Sequence, residues 1–302
     1  MRRFARRATA ILAAEKRFLR SSPVRTRRTP ASGGATADRL RRHWPEYLIE
    51  AWGLGTFMVS AVLFTALLEY PGWGLPQWLP EPDRRRLLIA LAMGLTALCI
   101  IYSPWGKRSG AHINPAVTFT FWRLGKIRTA DALFYAAAQF AGGTAGVLLS
   151  ALLLGPVIAA PSVNYAVTVP GPAGVGVAFA CEFVIAFLMM TTVLHTSNRP
   201  RFAPFTGLFA GGLIVLYVGF ESPFSGFGMN PARTFASALP AGVWTAAWIY
   251  FVVPVAAMLS AAEIYVRTHG ISRVRCAKLQ HGDAEQCIFR CGYRQPPTQN
   301  LP

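Results

Sequence analysis

The stretch SGAHINPAVTF, Ser109 to Phe119, returns later in the chain as SGFGMNPARTF, Ser225 to Phe235, with Asn-Pro-Ala at 114–116 and again at 230–232. Asn is a good helix N-cap, and Pro is favoured at the first helical position because its missing N–H would have no partner there. Each copy therefore predicts the start of a helix. The apolar segments that follow, His112 to Leu124 and Met229 to Ala241, are too short to cross a bilayer. Such segments exist at membrane depth only where protein or a water-filled cavity satisfies their backbone.

Around these two segments lie longer apolar stretches at about 47–68, 86–104, 130–155, 174–195, 203–221 and 243–266. Each is close to the roughly 20 residues a helix needs to span about 30 Å of hydrocarbon. Three spans fall in each half, 46–156 and 174–268, and each half has a single Glu in its first span, Glu50 or Glu182. An odd number of spans inserts the second half upside down relative to the first. The expected fold is an all-α membrane protein, six transmembrane helices plus two half-helices in an inverted repeat, with a site near the midplane.

Composition agrees. Of 302 residues 53% are hydrophobic and only 14% charged, against roughly 25% in soluble domains. The mean hydropathy is +0.36. The formal net charge of +17 does not mark a nucleic-acid binder, because its positions are segregated. Placing the N-terminus inside puts 26 of the 30 Lys and Arg on the inner side and leaves Arg84, Arg85, Arg86 and Arg233 outside. Residues 1–45 form a basic tail expected to be disordered and cytoplasmic; a transit peptide or a surface helix over Phe4 to Leu19 are the other readings. Trp44, Trp73 and Trp78 fit interfacial belts.

Two caps meeting at the midplane place the amides of Asn114 and Asn230 and two positive helix ends at one point, which disfavours cations and interrupts a proton-conducting file of water. The chain leading into each cap must be extended, offering carbonyls of Gly110, Ala111, His112 and Ile113 on one side and of Phe227, Gly228 and Met229 on the other. Glu50 and Glu182, the acids deep in spans one and four, read as structural braces accepting hydrogen bonds from loop N–H groups. His112 reads equally as a pore acceptor or a partner of a buried Glu. Gly142 with Gly146, and Gly207 with Gly211, have the spacing of close helix packing.

With both motifs in this setting, the chain over about 45–268 resembles the aquaporin family of major intrinsic proteins, in its bacterial water-channel branch. That resemblance implies a right-handed bundle, a pore through each protomer, a homotetramer, and a place in the bacterial inner (plasma) membrane. It also implies an outer constriction of four residues, carried over to Met93, Val218, Phe227 and Arg233. Water-selective members have Phe and His at the two helix positions, where this chain has Met93 and Val218. Glycerol members have Asp after the motif Arg and a Pro-Leu pair in span six, where this chain has Thr234 and the pair Tyr250 and Phe251; Ala238 matches the water branch. The expected function is passive passage of water without ions, with facilitation of glycerol, urea or ammonia as the alternative. A non-conducting scaffold is disfavoured by the retained motifs, and an enzyme by the lack of a nucleophile with its base, a carboxylate pair or a phosphate loop.

The tail, 269–302, holds Cys276, His281, Cys287 and Cys291. On a reducing cytoplasmic side a structural disulfide is disfavoured. Three thiolates and an imidazole could hold zinc, although their spacing is not the common paired one. Redox-reactive thiols and an inert tail stand beside that reading, and no other cofactor is expected. Cys99 and Cys181 lie within spans and read as packing residues.

Overall fold

The computed structural model describes residues 32–281 and 287–293, with side chains from residue 38 onward. The chain falls into two units, Met1–Asp38 and Arg39–Pro302, and only the opening turns of a helix are described in the first. The basic stretch 1–31, with the expected surface helix over 4–19, lies outside the described residues, as do 282–286 and 294–302.

Six helices are long and apolar enough to cross a membrane, and no strand occurs among the described residues. In chain order the elements are α1 (Ser32–Glu69), α2 (Pro82–Tyr102), the half-helix α3 (Pro115–Arg123), α4 (Thr129–Leu154), α5 (Val175–Ser197), α6 (Thr206–Leu216), the half-helix α7 (Pro231–Ala241) and α8 (Ala247–His269). α6 runs on through a π turn, Tyr217–Glu221, and a last α turn, Ser222–Ser225. The packing repeats between halves: α2 lies on α6, α5 on α8, α7 on α4 and α3 on α8. Large apolar side chains such as Leu95, Leu152, Phe209 and Val252 point outward, as hydrocarbon requires.

Helix α1 corrects the expected tail boundary, because residues 32–45 are helical. The physical reason lies in three side chains spaced four apart, hence on one helical face. Arg39, His43 and Tyr47 all reach the carboxylate of Asp131 at the start of α4, at 3.6, 2.8 and 2.8 Å. Pro45 removes one backbone bond inside α1, and these contacts hold the helix through it.

Small residues allow the helices to approach closely. A Cβ on Gly142 would lie 2.1 Å from the Ala51 carbonyl oxygen, and one on Gly94 would lie 2.8 Å from that of Gly211. Without a hydrophobic drive between helices in lipid, such close contact is what holds them together. The arginine cluster, which the structure places in the first turns of α2 rather than in a loop, is structural as well: Arg85 ion-pairs with Glu69 at 3.1 Å, and Arg86 donates to the Gly219 carbonyl at 2.9 Å.

Candidate functional site: a pore built on two matched loops

Residues 109–114 and 225–230 enter the bundle from opposite faces and make matching bonds. Asn114 caps α3 by accepting from Ala116 N–H at 2.8 Å, and Asn230 caps α7 by accepting from Ala232 and Arg233 N–H at 3.1 and 3.2 Å. Each Asn amide also crosses to the other loop. Nδ2 of Asn114 donates to the Met229 carbonyl (2.9 Å), and Nδ2 of Asn230 donates to that of Ile113 (2.7 Å). An amide nitrogen carries two hydrogens, so one on each Asn is left for the lumen.

The loops are held in a costly shape. Ala111, Ile113, Phe227 and Met229 have φ of 52°, 41°, 54° and 46°, a left-handed conformation that costs a non-glycine residue about 1–2 kcal/mol. The two carboxylates compensate. Glu50 accepts from Ser109 Oγ, His112 N, Ile113 N and Gln139 Nε2 at 2.6–3.1 Å. Glu182 accepts from Ser225 Oγ at 2.8 Å and from Gly228 and Met229 N–H at 2.5 Å each. Hydrogen bonds to a charged acceptor contribute roughly 1.5–3 kcal/mol each, enough together to fix the strained turns. Tyr135 and Tyr250 complete the match, donating to the Ser109 and Ser225 carbonyls at 2.8 and 2.6 Å. Tyr250, read from sequence as a branch marker, is thus part of the loop's support.

Two cavities lie along the axis. An inner chamber of about 70 Å³ is lined by Ala111, His112, Ile113, Asn114, Gly228, Met229 and Asn230 from the loops, with Phe57, Ala97, Ile101, Val193 and Ile214 from the spans. It has room for a short file of water, at roughly 10–15 Å³ of accessible volume per molecule. An outer chamber of about 350 Å³ is lined by Met93, Val218, Phe227 and Arg233 among others. Phe57, Phe227 and Arg233 border both chambers. The structure therefore brings the four expected constriction residues to one cavity and adds Phe57 of α1 at the junction. Nε and Nη1 of Arg233 are buried and have no hydrogen-bond partner among the described residues. Arg86 also lines the outer chamber, a second basic side chain beside Arg233.

Several expected pore carbonyls have partners already. Those of Ile113 and Met229 receive the Asn amides, and that of Gly110 receives the backbone N–H of Leu279 in the C-terminal tail at 3.1 Å. His112 lines the inner chamber, but its side chain pairs with neither Glu. Its Nε2 lies 2.7 Å from the Ala277 carbonyl and its Nδ1 lies 3.1 Å from Thr118 Oγ1. A carbonyl only accepts, so Nε2 carries the proton. The imidazole stacks on Phe121 and Phe289, with centroids 5.3 and 5.5 Å away.

The four tail residues with ligand chemistry come together, all four ligand atoms lying within 4.8 Å of one another. Hydrogen bonding from the Cys276 thiol, aided by His281, pulls Cys287 down to about 4 and Cys291 to about 6, against the opposing effect of burial. The same contacts push Cys276 well above the ordinary thiol range.

Residues 45–265 match the model of a family described as Major intrinsic protein. The chain belongs to the major intrinsic protein family. It is 36% identical over 216 residues to Aquaporin NIP2-2 of Zea mays, covering 70% of this chain and 71% of the relative. With Aquaporin NIP3-1 of Arabidopsis thaliana it shares 33% identity over 264 residues, 82% and 78% of the two chains. The aquaglyceroporin from Plasmodium falciparum has a similar structure, with a TM-score of 0.64 at 20% identity over 74% of this chain and 95% of that one. That likeness bears on the fold alone, and the two plant relatives lend no support to a bacterial inner membrane. As a major intrinsic protein the chain is a multi-pass membrane protein of a channel family rather than an enzyme family.

Proposed function

We propose that this major intrinsic protein is a passive channel for water that excludes ions and protons. The observation that carries the reading is the junction between the chambers. There two aromatic side chains, Phe57 and Phe227, line both chambers together with the Arg233 guanidinium, whose Nε and Nη1 have no protein partner among the described residues. Such a junction offers hydrogen bonds to a small neutral molecule and repels a cation. The free hydrogens of Asn114 and Asn230, fixed by their bonds to the opposite loops, orient each passing water so that it cannot relay a proton. Val218, apolar where a His would favour water alone, and Met93, in place of a Phe, support a second reading in which glycerol, urea or ammonia also passes. The family and the Lys/Arg distribution support a homotetramer with both termini in the cytoplasm.

Stopped-flow light scattering of proteoliposomes tests this. Osmotic water permeability is expected to exceed that of empty liposomes by at least several-fold, with glycerol slower than water. The measurement is made on zinc-chelated, reduced protein and on Leu279→Ala. Permeabilities equal to empty liposomes in every case would overturn the channel reading.

A further inference from the structure

We propose that Cys276, His281, Cys287 and Cys291 bind one zinc ion, and that the tail organised by this metal closes the inner mouth of the pore. The metal half stands on its own; the closure half rests on the channel reading above.

All four donor atoms lie within 4.8 Å of one another, so small side-chain movements bring them onto one tetrahedral ion. With Zn–S of about 2.3 Å and Zn–N of about 2.0–2.1 Å, the edges of a tetrahedral site are about 3.5–3.8 Å. The Sγ atoms of Cys276 and Cys287 are 3.5 Å apart, and Nε2 of His281 is 3.1 Å from Sγ of Cys291. A disulfide would need about 2.05 Å. Three sulfurs and one imidazole are a closed structural set with no position left for water. On loading, the remaining thiol protons pass to solvent, and three thiolates with Zn²⁺ leave one negative charge. Lys278, two residues after Cys276 and only 3% exposed, supplies a cation beside the cluster.

The tail also needs such a clamp. After α8 it has one short turn, Ile271–Arg273, and no other helix among the described residues, yet Cys276 and Cys287 are 3% and 4% exposed. An irregular segment without a core of its own is commonly ordered by a metal, whose binding free energy becomes folding free energy.

What the ligands enclose is the part of the tail that touches the pore. Between Cys276 and His281 lie Ala277, whose carbonyl meets His112, and Leu279, whose N–H meets Gly110 and which lines the inner chamber. Between Cys287 and Cys291 lie Phe289, stacked on His112, and Arg290, whose N–H donates to the Lys126 carbonyl at 2.9 Å. Gly110 has φ of 97°, and a Cβ there would lie 3.1 Å from Phe289 and 3.2 Å from Lys278, so this loop accepts the tail at close range. At the matched glycine of the other loop, Gly226, a Cβ would lie 2.8 Å from the Val169 carbonyl oxygen in the α4–α5 connection. The tail thus takes on one face the place that a fixed connection takes on the other.

The test uses the full chain. Metal analysis of purified protein, stripped and reloaded with zinc, is expected to give one zinc per protomer, and none in the Cys276→Ser/Cys287→Ser/Cys291→Ser variant. Water permeability of the zinc-loaded protein is expected to rise several-fold on chelation under reducing conditions. Leu279→Ala, which leaves all four ligands, is expected to keep its zinc and conduct with the metal in place. Zinc content no higher in the wild type than in the triple variant, or two tail thiols consumed as a disulfide, overturns the metal site. High permeability indifferent to zinc overturns closure and leaves the channel reading intact. No permeability in the chelated protein or in Leu279→Ala overturns both the channel reading and closure.

Discussion

Asn114 donates Nδ2–H to the carbonyl of Met229 at 2.9 Å, across 115 residues of sequence. The bond ties the first repeat to the second at the pore centre, and Asn230 returns it to Ile113. Each Asn therefore does three jobs: it caps its own half-helix, locks the opposite loop, and aims its remaining hydrogen at the lumen.

Replacing Asn230 by Ala removes a cap with two acceptor contacts and the donor to Ile113 together. The expected loss is about 1–3 kcal/mol, combining a cap of about 1 kcal/mol with one orphaned bond. The apparent unfolding midpoint in detergent should fall, and water permeability should fall with it. Asn114→Ala is expected to act in the same direction, because it loses the matching cross-loop bond and one cap contact.

Arg233→Val takes the guanidinium from the junction while leaving Phe57 and Phe227 in place. Cation and proton leak through proteoliposomes should rise, and the ratio of glycerol to water permeability should increase. An unchanged ratio with an unchanged leak would show that this side chain does not filter the permeant.

Glu50→Gln puts an NH₂ in place of either Oε1, which accepts from Ser109 and His112, or Oε2, which accepts from Ile113 and Gln139. At least one buried donor is orphaned, at roughly 1–3 kcal/mol, in a loop that already holds two left-handed residues. Thermal stability in detergent should drop for Glu50→Gln and for Glu182→Gln by comparable amounts. A proton-relay role would instead change pH dependence and leave stability unmoved.

Two glycines separate packing from propensity. A Cβ on Gly142 would collide with the backbone of Ala51, whereas one on Gly212 meets nothing within 4 Å. Gly142→Ala is expected to destabilise by about 1–3 kcal/mol through overpacking. Gly212→Ala should be neutral or stabilising by up to about 1 kcal/mol, since Ala is the better helix former. Thermal midpoints of the two variants check the contrast.

The spans, the half-helices and the bracing by Glu50 and Glu182 could be read from sequence because each follows from local chemistry repeated twice. Hydropathy marks the spans, Asn-Pro marks the caps, and a lone acid in an apolar helix calls for donors nearby. Phe57 left no such mark: one aromatic residue in an apolar helix looks like any lipid-facing one until the bundle sets its rotation. The partners of His112 were equally hidden, because Ala277 lies 165 residues away and bonds through its backbone. The helical start at residues 32–45 did leave a mark in the Arg39, His43, Tyr47 spacing, but its meaning depended on where Asp131 would lie. Charge counting alone says nothing of what Arg86 touches, whereas its bond to Gly219 ties the start of α2 to the turn that continues α6.

The matched loops also imply an order of assembly. Glu50 finds its partners within the first repeat, no more than 89 residues away, so that half can set its own turn while the rest is still being made. The amide bonds of Asn114 and Asn230 must wait for the second half to insert. The residues that cover Gly110 and His112, Ala277 to Phe289, follow both repeats in the chain, so the two loops can lock together before their cover is made.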